Sequence, residues 1–291
     1  MQQQSPDDSE SAPALIDPGP SERGWHRLQS AMRCLRLYAL REKAGLRFAP
    51  SAPLVNGSLL HVGLAHLYQR QKERQTGGNP DKWLTPHQAV SLAAQRGSDS
   101  GEAPHLWLSG VSIVNTALSE YMAHWDDRGW RILEVEKELR ATIGGHLYTQ
   151  RADLIVESNN TKQVFIVDHK SCYTIHAKTQ TQHILDGQFI GYQRFGRALY
   201  GNQFSGVIVN RVKLKPPIQF ARGPVEPAPL AVRDFPDLIV EVEKRIAEQE
   251  SRPDNQDPFT WPPAFSSQVC TSKYGKCSAW NICRFGLHAQ E

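Results

Sequence analysis

The stretch Tyr148-Thr149-Gln150-Arg151-Ala152-Asp153-Leu154-Ile155-Val156, followed by Val164-Phe165-Ile166-Val167-Asp168-His169-Lys170-Ser171, decides the fold of this 291-residue chain. Both pieces are apolar runs of strand length, and Ser158-Asn159-Asn160 between them reads as a loop. Side chains alternate across a strand, so Asp168 and Lys170 share one face and His169 turns to the other. Pairing as a hairpin sets Asp153 beside Asp168. An exposed strand face often carries an Asp-x-Lys triplet as solvated charge. Here the apolar run ahead of Asp168 reads as a buried central strand, where a carboxylate is costly unless paired or metal-bound. Two carboxylates and an amine on one sheet face suit a hard divalent cation and a water activated by it. That is hardware for phosphodiester hydrolysis.

The composition is compatible with this chemistry. Apolar residues make up 40% of the chain, enough for a sizeable core. A net charge of +3 permits nucleic acid as a partner but requires any basic surface to be local. No window approaches the roughly 18 uninterrupted apolar residues of a membrane span. Met1-Gln2-Gln3-Gln4-Ser5-Pro6-Asp7-Asp8 lacks the basic and apolar regions of a signal peptide, so a cytoplasmic protein with reduced thiols is expected.

Outward from the decisive stretch, residues 1–22 are rich in Gln, Ser, Pro and acids and read as a disordered tail. Residues 23–291 read as one α/β domain: a helical part over 23–127, a core over 128–250 and a cysteine-rich tail over 251–291. Helices are expected from Trp25 to about Lys43, from about Asn56 through Leu67, and over 109–126, while 76–101 reads as loop around one short helix. Strands are expected over Trp130–Arg140, Tyr148–Glu157 and Gln163–Val167, with Gly144-Gly145 as the first turn. A helix over about Leu185–Tyr200, a strand over Phe204–Leu214, a solvent-exposed excursion at Pro224–Pro229 and a charged amphipathic helix over Asp234–Glu250 complete the core. A central mixed sheet flanked by helices follows.

With these residues in place, the chain resembles the PD-(D/E)XK nucleases, a restriction-endonuclease-like fold, and specifically their RecB-like branch. Asp153 matches the first acid, with Ala152 where the signature often has proline, and Asp168-His169-Lys170 matches the (D/E)-X-K. Gly57-Ser58-Leu59-Leu60-His61 resembles the branch's helix-borne histidine, and Gln188-Phe189-Ile190-Gly191-Tyr192 its QxxxY element. The resemblance implies a deoxyribonuclease with Asp153, Asp168 and Lys170 as catalytic residues. It implies Mg2+ or Mn2+ held by His61, Asp153, Asp168 and the backbone carbonyl of His169. Glu136 matches a supporting acid or is one charge on an exposed strand. Gln188 and Tyr192 would contact the DNA backbone. Arg194 and Arg197, with Arg211, Lys213 and Lys215, add phosphate contacts or form a solvated face.

Cys270-x6-Cys277-x5-Cys283 lies in an irregular polar tail, and Cys34 lies far upstream. Three cysteines plus one upstream resemble the iron–sulfur nucleases of the RecB-like branch, the CRISPR-associated and AddB types, in which four thiolates hold a 4Fe–4S cluster. A structural Zn2+ suits the same four thiolates. The resemblance implies an end-dependent exonuclease for recombination, repair or phage DNA processing, acting on single-stranded or duplex ends in the host cytoplasm if phage-encoded. A recombinase, helicase or single-strand-binding protein would be its partner. The alternatives are a catalytically quiet DNA-end-binding module and a sequence-specific restriction-type endonuclease.

Overall fold

The computed structural model describes residues 13–16, 18–101, 103–176, 181, 183–272 and 275–286. Five strands form one sheet in sequence order: β1 (Trp130–Ile143), β2 (His146–Ser158), β3 (Val164–Cys172), β4 (Phe204–Lys213) and β5 (Gln219–Val225). β3 and β4 run parallel and the other neighbours antiparallel. The parallel pair needs a crossover, supplied by a helix spanning Gly187–Tyr200. Gly144 and Gly145 close the β1–β2 hairpin with positive φ at both positions (56° and 84°), as a two-residue I′ turn requires.

Both sheet faces are covered, which is why β2 and β3 read as nearly continuous apolar runs. One face packs on α1 (Trp25–Arg33), the crossover helix and the helix Pro229–Glu250, with Phe189, Tyr192, Phe235 and Trp261 in its core. The other packs on α3 (Ala52–Thr76), α4 (Pro86–Asp99) and α5 (Pro104–His124), with Leu59, Leu64, Leu118 and Tyr121. Ile166 belongs to the first core and Val167 to the second, as strand alternation demands. The remaining helices in chain order are α2 (Leu35–Tyr38), α6 (the crossover), α7 (Pro229–Glu250), α8 (Ser267–Cys270) and α9 (Trp280–Phe285). A two-stranded ribbon, β6 (Thr271–Ser272) with β7 (Gly275–Lys276), lies in the tail. Among the described residues no helix is long and apolar enough to cross a membrane.

The structure corrects several boundaries. The first helix does not run to Lys43: Cys34 is extended (φ −168°, ψ 116°), and the chain resumes as α2 and a π turn, Ala39–Lys43. The break leaves the Arg36 amide without a helical acceptor, and it donates to the Pro262 carbonyl of the tail. The supposed loop over 76–101 holds the full helix α4, announced by the Thr85/Gln88 capping box. The expected exposed excursion at Pro224 is in part strand: Pro224 and Val225 end β5, an edge strand whose outer side needs no N–H. Of the expected disordered tail, residues 1–12 and 17 lie outside the described residues. Residues 13–16 and 18–22 are placed against the body: the Ile16 amide donates to the buried His66 Nε2 (2.9 Å) and Ser21 Oγ to the Thr149 carbonyl (3.4 Å).

Candidate active site

β2 and β3 pair in ordinary register as far as Leu154 opposite Val167. Beyond that point the Asp153 side chain takes the place of the ladder: its Oδ2 accepts the His169 amide at 2.7 Å. The same oxygen lies 3.4 Å from His61 Nδ1, on the first half of α3. On the other side of β2, Val135 pairs with Leu154 and Lys137 with Ala152, so Glu136 stands opposite Asp153. Glu136 has φ 49°, a left-handed conformation that costs a non-glycine residue ~1–3 kcal/mol and is held only where the surroundings impose it. This irregularity brings its carboxylate round: donor atoms of His61, Glu136 and Asp153 lie within 4.8 Å of one another. Sequence reading gave Glu136 as a supporting acid or one charge on an exposed strand; in the fold its carboxylate stands with the His61 and Asp153 donor atoms.

Asp168 is fully buried and does not belong to that group. Its Oδ2 lies 2.8 Å from the Lys170 ammonium, while Oδ1 accepts from Gln188 Nε2 at 3.0 Å and lies 3.1 Å from the Tyr192 hydroxyl. Gln188 Oε1 accepts from Lys170 Nζ at 2.8 Å, and the Tyr192 hydroxyl also lies 2.7 Å from the Arg151 carbonyl. Gln188 and Tyr192 therefore cage the Asp168–Lys170 pair. With Tyr192 wholly buried, the hydroxyl has no surface to offer a DNA backbone.

The electrostatics follow from these distances. Burial, then the Asp153 and Asp168 charges, push the Glu136 carboxyl well above the usual range, with Arg151 opposing. Burial raises Asp153 to about 6. His61 pulls Asp153 back down and Asp168 pushes it up. Burial works against the Lys170 ammonium, but Asp168 and Asp153 outweigh it and hold the group protonated above its ordinary value.

His169 points to the opposite face, as alternation requires, into a polar network that sequence reading missed. Burial drives its imidazole far below the ordinary value, so the ring is neutral. It stacks on Tyr68 (centroids 5.6 Å apart, 7° between planes), and the Asn210 amide donates to its Nδ1 at 2.8 Å. Asn210 Oδ1 accepts from Arg222, whose guanidinium also reaches the Tyr68 and Tyr121 hydroxyls and pairs with Asp127. Trp125 and Trp130 stack on that guanidinium at 4.1 and 4.6 Å. The signal in the sequence was Asn210-Arg211 inside an otherwise apolar strand.

The acid cleft encloses about 350 Å³, with Pro18–Ser21 and, from the start of α3, Pro53, Leu54, Gly57 and Ser58 among its walls. Arg194 and Arg197 do not reach it. Arg194 donates to the Val232 carbonyl of α7, and Arg197 lines a separate cavity with Gln193 and Pro227. Arg211 is buried beside His176, and Lys213 bonds the Pro217 carbonyl. The four cysteines singled out in the sequence are free thiols. Cys34 and Cys277 pack on Leu37, Leu40, Ala279 and Ile282. The Cys277 amide donates to the Cys270 carbonyl at 2.8 Å. Burial raises the Cys283 thiol, with Arg36 opposing and Cys34 and Cys277 adding to the rise.

The PD-(D/E)XK nuclease superfamily matches residues 25–284. Among solved structures, a candidate exonuclease from Eubacterium rectale superposes with a TM-score of 0.43 at 13% identity, covering 98% of this chain and 93% of that one. The structure of SSO0001 superposes with a TM-score of 0.29 at 16% identity, covering 62% and 74%. No curated protein matches the chain. The family match spans the helices, the sheet and the acid cleft alike: this chain belongs to the PD-(D/E)XK nuclease superfamily.

Proposed function

We propose that the chain is a divalent-metal-dependent deoxyribonuclease that degrades DNA from its ends. The observation that carries the reading is the convergence of His61, Glu136 and Asp153 beside the Asp168–Lys170 pair in one cleft. Two carboxylates and an imidazole are a donor set for Mg2+ or Mn2+, and the raised Glu136 and Asp153 carboxyls mark negative charge that a cation would offset. The residues fit the ion, with the His169 carbonyl as a further ligand on the family pattern. When bound, it supplies Lewis acidity at a phosphate oxygen and a more acidic water.

The chain's own residues do the rest. Lys170, held protonated, is placed to neutralise charge gathering on the phosphate and not to accept a proton. Asp168, Gln188 and Tyr192 fix that ammonium so that little reorganisation is needed when a strand arrives. End dependence rests on the likeness of the Gln188/Tyr192 element and of the cysteine layout to the RecB-like branch. The test digests a linear DNA and a covalently closed circle of the same sequence in Mn2+ and in EDTA. Loss of the linear DNA alone, only with Mn2+, is expected. Equal digestion of both would replace the exonuclease reading with an endonuclease, and digestion in EDTA would remove the metal.

Cys34, Cys270, Cys277 and Cys283 are proposed to hold a 4Fe–4S cluster joining the two ends of the chain. The reading rests on the likeness of the cysteine layout to the RecB-like branch, and Cys34 and Cys277 pack against the same residues; a structural Zn2+ suits the same four thiolates. Anaerobically purified protein should be brown; colourless protein with one equivalent of zinc would replace the cluster.

A further inference from the structure

The parallel strands β3 and β4 end together, with Cys172 opposite Lys213. The carboxyl edge of a parallel pair is where α/β folds open toward ligands. Just past this edge lies a second cavity of about 250 Å³, between Ser171, Cys172 and Tyr173 on one side and Leu214, Lys215 and Pro216 on another. Pro53 and Asn56 of α3 and Ile113 of α5 close it. Its walls are mainly apolar, and Tyr173 and Ile113 remain 63% and 41% exposed. Asn56 and Lys215 bring an amide and an ammonium to the lining. None of the chemistry described above uses this space.

Its position says what it could hold. Ser171 and Pro53 line both this cavity and the acid cleft, so the two are neighbours, and Ser171 directly follows Lys170. A DNA strand alternates charged phosphate with flat heterocycle along its length. A strand with a phosphate at Lys170 therefore carries its next base toward the neighbouring apolar space. The cavity is smaller than those that take drug-sized ligands, in keeping with a single heterocycle. Tyr173 offers an aromatic face for stacking, which any base can use, and Lys215 a charge for a flanking phosphate.

We propose that this pocket receives one unpaired nucleobase of the strand being cleaved, stacked on Tyr173, so that the substrate at the site is single-stranded. A base inside a duplex is stacked and paired, and must leave its helix to enter such a pocket. The inference rests on the nuclease reading and deepens it.

The experiment compares single-stranded oligonucleotides that lack one base at successive positions, digested in Mn2+ by the parent and by Tyr173→Ala. In the parent, one abasic position should lower kcat/KM by about 10-fold or more. Tyr173→Ala should show that loss on every substrate and no further penalty at that position. Ile113→Trp, which fills the pocket from the far wall, should behave likewise, and Tyr173→Phe should resemble the parent. Normal cleavage with no position-specific penalty, or the same penalty in Tyr173→Ala, overturns the pocket and leaves the nuclease standing. Binding of a strand carrying 2-aminopurine separates the remaining cases. Fluorescence quenching by the parent but not by Tyr173→Ala, without cleavage, supports the pocket and overturns the nuclease. Neither cleavage nor quenching overturns both.

Discussion

At Asp153 a single oxygen serves two neighbours, the His169 amide and the His61 imidazole. Without a cation the ionised carboxylate is a liability. Its folded-state pKa is raised from 3.8 to about 6, so the folded state binds the proton more tightly than the unfolded chain does. Stability is therefore gained as pH falls from about 6 toward 4 and lost as pH rises through the same window. Asp153→Asn keeps an acceptor for the His169 amide and removes the charge. In metal-free protein at pH 7.5 it should be more stable than the parent by on the order of 2–3 kcal/mol, with the gap closing below about pH 4. Thermal melts at both pH values check this, and parallel pH profiles for the two proteins would contradict it. Mn2+ should raise the melting temperature of the parent and have much less effect on the variant. Asp168→Ala or Lys170→Ala should remove cleavage while retaining the folded far-UV spectrum. Tyr192→Phe should lose ~1–3 kcal/mol of stability, because the Arg151 carbonyl loses its hydroxyl partner, and should slow cleavage without abolishing it.

Two elements determine where these residues stand. α6 carries Gln188 and Tyr192 close to β2 because Gly191 lets it: a Cβ there would lie 2.2 Å from Gln150 Oε1 and 3.1 Å from the Tyr148 hydroxyl. Gln150 also donates to the Gln188 carbonyl, tying the helix to the strand. Gly191→Ala should push the helix outward, costing ~1–3 kcal/mol by overpacking and lowering kcat more than the stability loss alone explains. Denaturant melts beside single-turnover rates test this; a full rate at reduced stability would remove α6 from the site's positioning. On the other face, β4 and β5 support β3 through Asn210 and Arg222. Arg222→Met would leave Asp127 and two tyrosine hydroxyls around an uncharged side chain, a loss of ~3–5 kcal/mol expected for breaking a buried ion pair. Arg222→Lys should rescue little, since an ammonium cannot reproduce the planar stacking between Trp125 and Trp130.

Across the whole molecule, α2 meets the cysteine-rich tail. Arg36 donates to the Trp261 and Phe259 carbonyls, and Trp261 is buried against Tyr38, so the tail is tethered independently of its thiols. Loss of the metal centre proposed at Cys34, Cys270, Cys277 and Cys283 should accordingly free 267–272 and 275–286 before the sheet. Hydrogen exchange on Cys277→Ser protein should show faster exchange there, with β2 and β3 still protected. Uniform loss of protection would mean that the centre holds the entire fold.

Much of this was legible in the sequence because it is local. Strand periodicity put Asp168 and Lys170 on one face and His169 on the other, and Gly144-Gly145 marked the hairpin. The apolar lengths of β2 and β3 required both sheet faces to be covered. These readings need only the two-residue repeat of a strand and the desolvation of its side chains. What is not local was decided by packing. The Glu136 carboxylate joins His61 and Asp153 where Glu136 takes a positive φ opposite Asp153. Gln188 and Tyr192 turn out to cage Asp168, and Arg194 and Arg197 face other elements, because helix rotation about the sheet is set by Gly191 and by α7. The segment ahead of α1 reads as polar and unstructured, yet it borders the cleft, because its contacts are made with His66 and Thr149, far along the chain. A sequence states which face a residue occupies; the register and packing of distant segments determine what stands opposite it.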